Sequence, residues 1–458
     1  MNALLAACLV LPLASGTPAV ATRSCGGHPL DFDGDARPDV AVAAPYDDAR
    51  AGSVTVMYGS GTTVKLTQDG AEPGDSFGSA LAVGDFDGDR CADLAVGVSE
   101  EFAGKRVPGA DGNGVVQLYH GSADGLVKGD ELALAKPSSD RFGAALAAGD
   151  LDGDGRDELA VGAPGHRSGG AVTVYWMKGR QPVQVTQRTP WVRQSPNVTD
   201  QWGASLATGD FDGDGRDELA VGAPSDSVQV DGQGSVTVID VRGRRARQYT
   251  QSTPGVHGAA EKWDGFGAAL ATGDFNGDGR SDLAIGVPGE GITEYQRALD
   301  YGDGTVDVLY GSRGGLRTDR TEAWSQNSLD GRPRYYDRFG ASLATGDLNG
   351  DGRDELAVGV PGERAVQVLA GRASGGLTRA GNLLIKGEGR DFGAALATIP
   401  LGERYRPLDR RRPVHGLLVA APDQGLVMYA PGSRTPGLRL GKVRRLSKGT
   451  GLYGYTFG

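Results

Sequence analysis

Six stretches of this chain carry oxygen-bearing side chains at positions one, three, five and nine of one pattern, Asp-x-Asp/Asn-Gly-Asp-x-x-x-Asp/Glu. The first three sets are Asp31, Asp33, Asp35 and Asp39; Asp85, Asp87, Asp89 and Asp93; and Asp150, Asp152, Asp154 and Glu158. The next three are Asp210, Asp212, Asp214 and Glu218; Asp274, Asn276, Asp278 and Asp282; and Asp347, Asn349, Asp351 and Glu355. Alternate positions can turn their oxygens toward one cation, and glycine at position four permits the tight turn. A backbone carbonyl near position seven can add a ligand, and position nine closes the shell. Such a hard, all-oxygen shell suits Ca2+ better than Zn2+, which prefers Cys and His, or Mg2+, which keeps its waters. A metal-free Asx turn explains one copy but not six, so about six Ca2+ sites are expected. Position six is Gly in the last four loops but Ala36 and Arg90 in the first two, which is strained if that position needs positive φ.

Other chemistry is sparse. Gly74-Asp-Ser76-Phe-Gly78 matches a nucleophile elbow, but that motif needs a strand–turn–helix with His and acid partners. Here Phe77-Gly78 is an ordinary repeat start, so the match is read as chance. The five histidines (His28, His120, His166, His257, His415) show no metal spacing and no fixed relation to a Ser or Cys. No phosphate-cradling loop ends in Lys-Ser/Thr. No catalytic site is assigned.

The elements that must position these loops come from a repeat. An aromatic-Gly start appears at Phe77-Gly78, Phe142-Gly143, Trp202-Gly203, Phe266-Gly267, Phe339-Gly340 and Phe392-Gly393. The acidic loops begin 54, 65, 60, 64 and 73 residues apart, and small-residue strands end at Pro45, Val98, Pro164, Pro224, Pro288, Pro361 and Pro422. Period-2 runs such as Val54-Thr-Val56, Val172-Thr-Val174 and Val236-Thr-Val238 follow in each unit and read as strands. Seven units of four strands predict an all-β, seven-bladed β-propeller. The first unit lacks its aromatic-Gly, and Phe457-Gly458 is expected to supply it and close the ring, the alternative being a frayed tail.

Glycine is abundant, at 76 residues, and its fixed offsets point to turns rather than disorder. The net charge of −11 argues against nucleic-acid binding, and six divalent ions (+12) would bring it to about +1. Residues 1–21 resemble a secretory signal peptide without its basic start, ending at Ala19-Val20-Ala21. Leu5-Ala6-Ala7-Cys8 alternatively resembles a lipoprotein site that would anchor Cys8. No other segment is long and apolar enough for a transmembrane span. An exported mature chain would retain Cys25 and Cys91, which are expected to form a disulfide or else remain two small buried thiols.

Blade seven replaces the acidic loop with a basic segment containing Arg404, Arg406, Arg410, Arg411 and Arg412. It is either a solvated stretch or a contact for an anionic partner. Long insertions span 99–114, 225–234 and 289–304, and the blade-to-blade segments add Trp191, Trp263, Trp324, Tyr335 and Tyr336. Aromatics on one rim suit protein or sugar recognition, although each could equally be local packing. Asn197-Val-Thr199 would be a glycosylation acceptor only in a eukaryotic host.

The aromatic-Gly start, Asp loop and Gly-x-Pro strand end together resemble FG-GAP repeats, the units of the seven-bladed propeller at the N-terminus of integrin α subunits. The resemblance covers nearly all of residues 22–458. It implies Ca2+ in the loop between the first and second strands, and ligand recognition on the opposite face. Departures are the absence of leg domains, membrane span and cytoplasmic tail, and the presence of metal loops in blades one to three. The expectation is a secreted, monomeric, non-catalytic binding or adhesion module for an extracellular protein or carbohydrate. The rival is a secreted hydrolase or lyase, which would place a carboxylate–His–Arg cluster at the propeller axis.

Overall fold

The computed structural model describes residues 25, 29–102, 111–134, 138–177, 179–291, 302–329, 331–373, 375–401, 413–434, 438–448 and 457. They form seven antiparallel sheets, six of four strands and one of three, each with its strands in sequence order. The seven-bladed, all-β propeller expected from the repeat is therefore present. The leader expected at 1–21 and Cys8 lie outside the described residues.

In blades two to seven the first strands are Phe77–Gly84, Ala145–Gly149, Ser205–Gly209, Ala269–Gly273, Leu343–Gly346 and Leu396–Leu401. They touch one another blade to blade and line the axis. Small residues predominate there because the blades converge. The second strands are Asp93–Val98, Glu158–Ala163, Glu218–Ala223, Asp282–Val287, Glu355–Val360 and Val414–Ala421. Sheets cover both faces of these strands, so they read as continuous small-apolar runs such as Glu-Leu-Ala-Val-Gly-Ala and are almost wholly buried. Outer strands such as Val127–Leu132 and Arg317–Trp324 mix exposed and partly buried positions and have no fully buried one.

The aromatic-Gly pair starts a strand only in blade two; elsewhere the strand begins three or four residues later. Its six aromatics are fully buried. Its glycine adopts positive φ (Gly143 86°, Gly203 91°) and lies back to back with the strand-end glycine of the preceding blade. Within its own blade the Gly143 N–H donates to Gly162 O (2.9 Å), and that of Gly203 to Gly222 O (2.9 Å). A Cβ on Gly97, Gly162, Gly222, Gly286 or Gly359 would strike the carbonyl of the next blade's glycine. The repeat's two recurring glycines thus meet in one blade–blade contact.

Blade one is Val40–Ala44, Ser53–Met57 and Thr63–Leu66. Phe457 makes an antiparallel bridge to Val42, on the side where an inner strand is missing. Val40, Val42 and Ala44 share a core with Leu418 and Val427 of blade seven, with Ala397, Ile399 and Phe457 packed against it. The ring therefore closes between blades seven and one. Cys25 and Cys91 form the expected disulfide, with Cα atoms 4.9 Å apart.

Candidate metal centres

Five of the acidic loops join a first strand to a second, and loop one leads into Val40–Ala44, the strand equivalent to the second strands, so antiparallel alternation puts all six at one end of the ring. Position one anchors each turn. Asp150 accepts the N–H groups of Gly153 (2.7 Å), Asp154 (3.0 Å) and Gly155 (2.9 Å), and Asp210, Asp274 and Asp347 repeat the pattern. The sixth position has positive φ in the first two loops too, 63° at Ala36 and 72° at Arg90, so both non-glycines are in the left-handed region.

Position nine clamps the loop to the sheet. Asp39, Asp93, Glu158, Glu218, Asp282 and Glu355 each accept the N–H of position two, at 2.7 to 3.1 Å. Asp39, Asp93 and Asp282 use the other oxygen for the N–H of Gly59, Gly121 and Gly311 beyond the third strand. Burial, reinforced by neighbouring loop carboxylates, raises every one of these acids. Asp39 is pushed to about 7, Asp93 to about 6, and Glu158, Glu218, Asp282 and Glu355 to about 8. Carboxylates have been gathered where burial disfavours their charged forms.

The structure gathers three carboxylates within 4.8 Å of one another in four loops. These are Asp31, Asp33 and Asp39; Asp150, Asp152 and Glu158; Asp210, Asp212 and Glu218; and, in loop two, Asp85, Asp87 and Asp89. Position five joins the group only in loop two. Asp214, Asp278 and Asp351 instead pair with their own loop's Arg216, Arg280 and Arg353. In loops five and six the position-three amide donates to position nine, Asn276 to Asp282 (3.1 Å) and Asn349 to Glu355 (2.8 Å). The Oδ1 atoms of Asp152 and Asn349 are buried without a hydrogen-bond partner. Orphaned oxygens amid clustered carboxylates fit a hard divalent cation.

Two positions in the loop were not legible as partners. Position eight reaches the preceding loop: Asp157 accepts the Asp85 N–H (2.9 Å), Asp217 that of Asp150 (3.2 Å) and Asp354 that of Asp274 (2.8 Å). Their own N–H groups return to the same residues' carbonyls. At position seven, Arg156, Arg216, Arg280 and Arg353 lie over glycine four of the preceding loop, at Gly88, Gly153, Gly213 and Gly277. In loop two that place is taken by Cys91, whose disulfide partner Cys25 lies over Gly34. The loops are interlocked around the ring. His120, scattered in the sequence, is brought to Asp87 and Asp93.

At the opposite end lie the blade-to-blade connections and the second-to-third-strand insertions. Trp263, Tyr335 and Tyr336 are about half exposed on two successive connections, flanking blade five, and the two tyrosine rings meet edge-on at 4.2 Å. Trp191 and Trp324 are only partly exposed. Beneath this face, Asp75, Asp140, Asp200, Asp264 and Asp337, two residues before the aromatic-Gly, are buried and accept nearby backbone N–H groups. The axial cavity, about 310 Å³, is lined by Ser, Ala and Leu from blades two to seven and by Phe457; no titratable side chain lines it among the described residues. The basic segment 404–412 and the centres of two insertions (103–110 and 292–301) lie outside the described residues.

The FG-GAP repeat pattern matches residues 77–119, 142–175, 202–239, 266–309 and 339–382, and an FG-GAP-like repeat matches 31–96. Integrin alpha-PS2 of Drosophila melanogaster is 32% identical over 239 residues, 50% of this chain and 16% of that protein. Integrin alpha-X of Mus musculus is 34% identical over 215 residues, 45% of this chain and 16% of that protein. The chain thus spans less than a fifth of the length of the integrins it matches. A phosphatidylinositol-glycan-specific phospholipase D of Mus musculus is 26% identical over 384 residues, 75% of this chain and 44% of that protein. Among solved structures, a periplasmic gluconolactonase of Pseudomonas aeruginosa superposes with a TM-score of 0.50 at 17% identity, covering 90% of this chain and 97% of that one. That likeness concerns the fold alone.

Proposed function

Since the chain belongs to the FG-GAP repeat family, we propose that it is an exported, calcium-stabilised propeller that binds an extracellular protein or carbohydrate without transforming it. The observation that carries the binding role is the pair of adjacent connections bearing half-exposed Trp263, Tyr335 and Tyr336 on the face away from the metal loops. Exposed large aromatics clustered on one rim offer contact area with few rotamers to freeze. The axial cavity, where a propeller enzyme would gather acids and bases, offers Ser, Ala and Leu instead. The Cys25–Cys91 disulfide supports an oxidising compartment, and no helix among the described residues is long and apolar enough to cross a membrane.

The scaffold role assigned to Ca2+ rests on the clustered carboxylates and on the orphaned oxygens of Asp152 and Asn349. Residues one, three and nine would hold the ion in loops one, three and four, and Asp85, Asp87 and Asp89 in loop two. The test is an array of purified matrix proteins and polysaccharides probed with the full chain in Ca2+ and in chelator. A hit that is lost in a Trp263→Ala, Tyr335→Ala, Tyr336→Ala triple variant supports the reading. Turnover of any arrayed polysaccharide or of a phosphodiester panel would instead establish the enzyme.

A further inference from the structure

Blade two carries an unusual residue at the end of its third strand. His120 ends its third strand, one step beyond Tyr119, which pairs with Leu94. The corresponding residues in blades one and three to six are Tyr58, Trp176, Asp240, Tyr310 and Ala370, so this position carries an imidazole only in blade two. The Nδ1 atom of His120 lies 3.5 Å from Asp93 Oδ1 and 3.7 Å from Asp87 Oδ2. It is shielded from solvent and makes no hydrogen bond. A charge-assisted hydrogen bond would close to ~2.8 Å. Two carboxylates held at near-equal, longer range instead space the three atoms like the edges of a coordination polyhedron. Ligands ~2.1 Å from a tetrahedral ion are ~3.4 Å apart.

Spacing alone would also admit Ca2+, since ligands ~2.4 Å from an octahedral ion are again ~3.4 Å apart. The donor type decides. Imidazole nitrogen is a ligand of Zn2+ and its first-row neighbours, whereas Ca2+ takes oxygen. The ring is also seated for the task. A Cβ on Gly129 of the adjoining strand would lie 2.6 Å from His120 Cδ2 and 2.7 Å from Nε2, so glycine there leaves the room the ring fills. Loop two is unlike its fellows as well, because its three-oxygen group is Asp85, Asp87 and Asp89, leaving Asp93 to face the imidazole.

We propose that His120, Asp87 and Asp93 form a mixed nitrogen–oxygen site that takes a divalent transition metal of the Zn2+ class in preference to Ca2+. Ligation through Nδ1 leaves the ring proton on Nε2, and Asp85 and Asp89 supply further oxygens nearby. The site rests on the reading that the acidic loops take divalent cations, and the experiment separates the two.

The full chain is stripped with chelator, saturated with Ca2+, and titrated with Co2+ as a coloured stand-in for Zn2+. The expected result is one Co2+ bound per chain despite the Ca2+, with a visible d–d band that Zn2+ bleaches. His120→Gln should weaken Co2+ binding at least ~10-fold, in line with what supporting ligand changes already cost, and Asp87→Asn should also remove the band. His166→Gln and His257→Gln should leave it. Calorimetric Ca2+ titration and circular dichroism on each variant check folding and the remaining loops. A band unchanged in His120→Gln, or Co2+ uptake abolished by saturating Ca2+, overturns the proposal. Absence of any Ca2+ uptake by the wild-type chain sinks the broader reading instead.

Discussion

Asp226 shows how a single buried acid sets a pH signature apart from the metal loops. Its carboxylate accepts the Ser235 hydroxyl (2.6 Å) and the Gln248 amide (3.1 Å), and burial, helped by Asp200, pushes it up to about 6. Unfolded, the group titrates near ~3.9. The native state therefore holds its proton longer, so this residue's contribution is most favourable below pH ~4 and is lost as pH rises through about 6. Asp226→Asn removes the ionisation, and its stability relative to wild type should improve between pH 4 and 7. Two pH units at ~1.4 kcal/mol each set the limit at ~3 kcal/mol. Urea unfolding of both proteins at each pH isolates the difference from the loops' own titration; a gap that does not change with pH refutes the assignment. Asp217 poses a different residue-scale question, because its carboxylate serves the N–H of Asp150 in another blade. Asp217→Ala strands that partly buried donor and should cost ~1 kcal/mol in the same assay.

The repeat's elements were readable because each is a local pattern. Period-2 runs marked strands, and the alternating acids with their glycine marked the turns. The partners of positions seven and eight were hidden because Arg216 and Asp217 act on a loop some sixty residues earlier, across a blade boundary that no local period crosses. His120 was hidden for a related reason. It lies 27 residues from Asp93 in sequence and becomes its neighbour only through the Leu94–Tyr119 register between second and third strands. The aromatic-Gly and strand-end glycines were visible as repeats, but their meaning is an inter-blade contact. Gly222→Ala tests it: the added methyl would overlap Ser205 Oγ and the carbonyl of Gly267, which Ser205 itself binds at 2.6 Å. Overpacking of this kind should cost ~1–3 kcal/mol or more. Gly314→Ala, whose methyl meets nothing nearer than 3.9 Å, should leave the urea midpoint in place. Equal shifts for both would mean the glycines serve chain flexibility rather than blade contact.

From blade three to blade seven, the inner strands are tied in series. Thr208 donates to Ala148 O (2.6 Å), Thr272 to Thr208 O (2.8 Å), Thr345 to Thr272 O (2.5 Å) and Thr398 to Thr345 O (2.5 Å). Loop two is tied covalently to the segment before loop one, since the 66-residue span between Cys25 and Cys91 is closed by their disulfide. By loop-closure entropy, removing it with Cys25→Ser and Cys91→Ser should cost ~4 kcal/mol, read as a lower urea midpoint. Cation release acts on the same continuous structure. If each loop binds Ca2+ with Kd ~0.1 mM, then ~1 mM Ca2+ stabilises each by ~1.4 kcal/mol, and six by ~8 kcal/mol. That is comparable to the ~5–15 kcal/mol that holds a typical domain together. Because Asp157, Asp217 and Asp354 bind the neighbouring loop's backbone, a loop loosened by losing its ion also loosens the one beside it. Chelation should therefore lower the calorimetric melting temperature by about 10 °C or more, at ~1–2 °C per kcal/mol for a chain this long, and do so in one cooperative transition. A melt unmoved by chelator would remove calcium from the scaffold, and seven separable transitions would show that the blades stand alone.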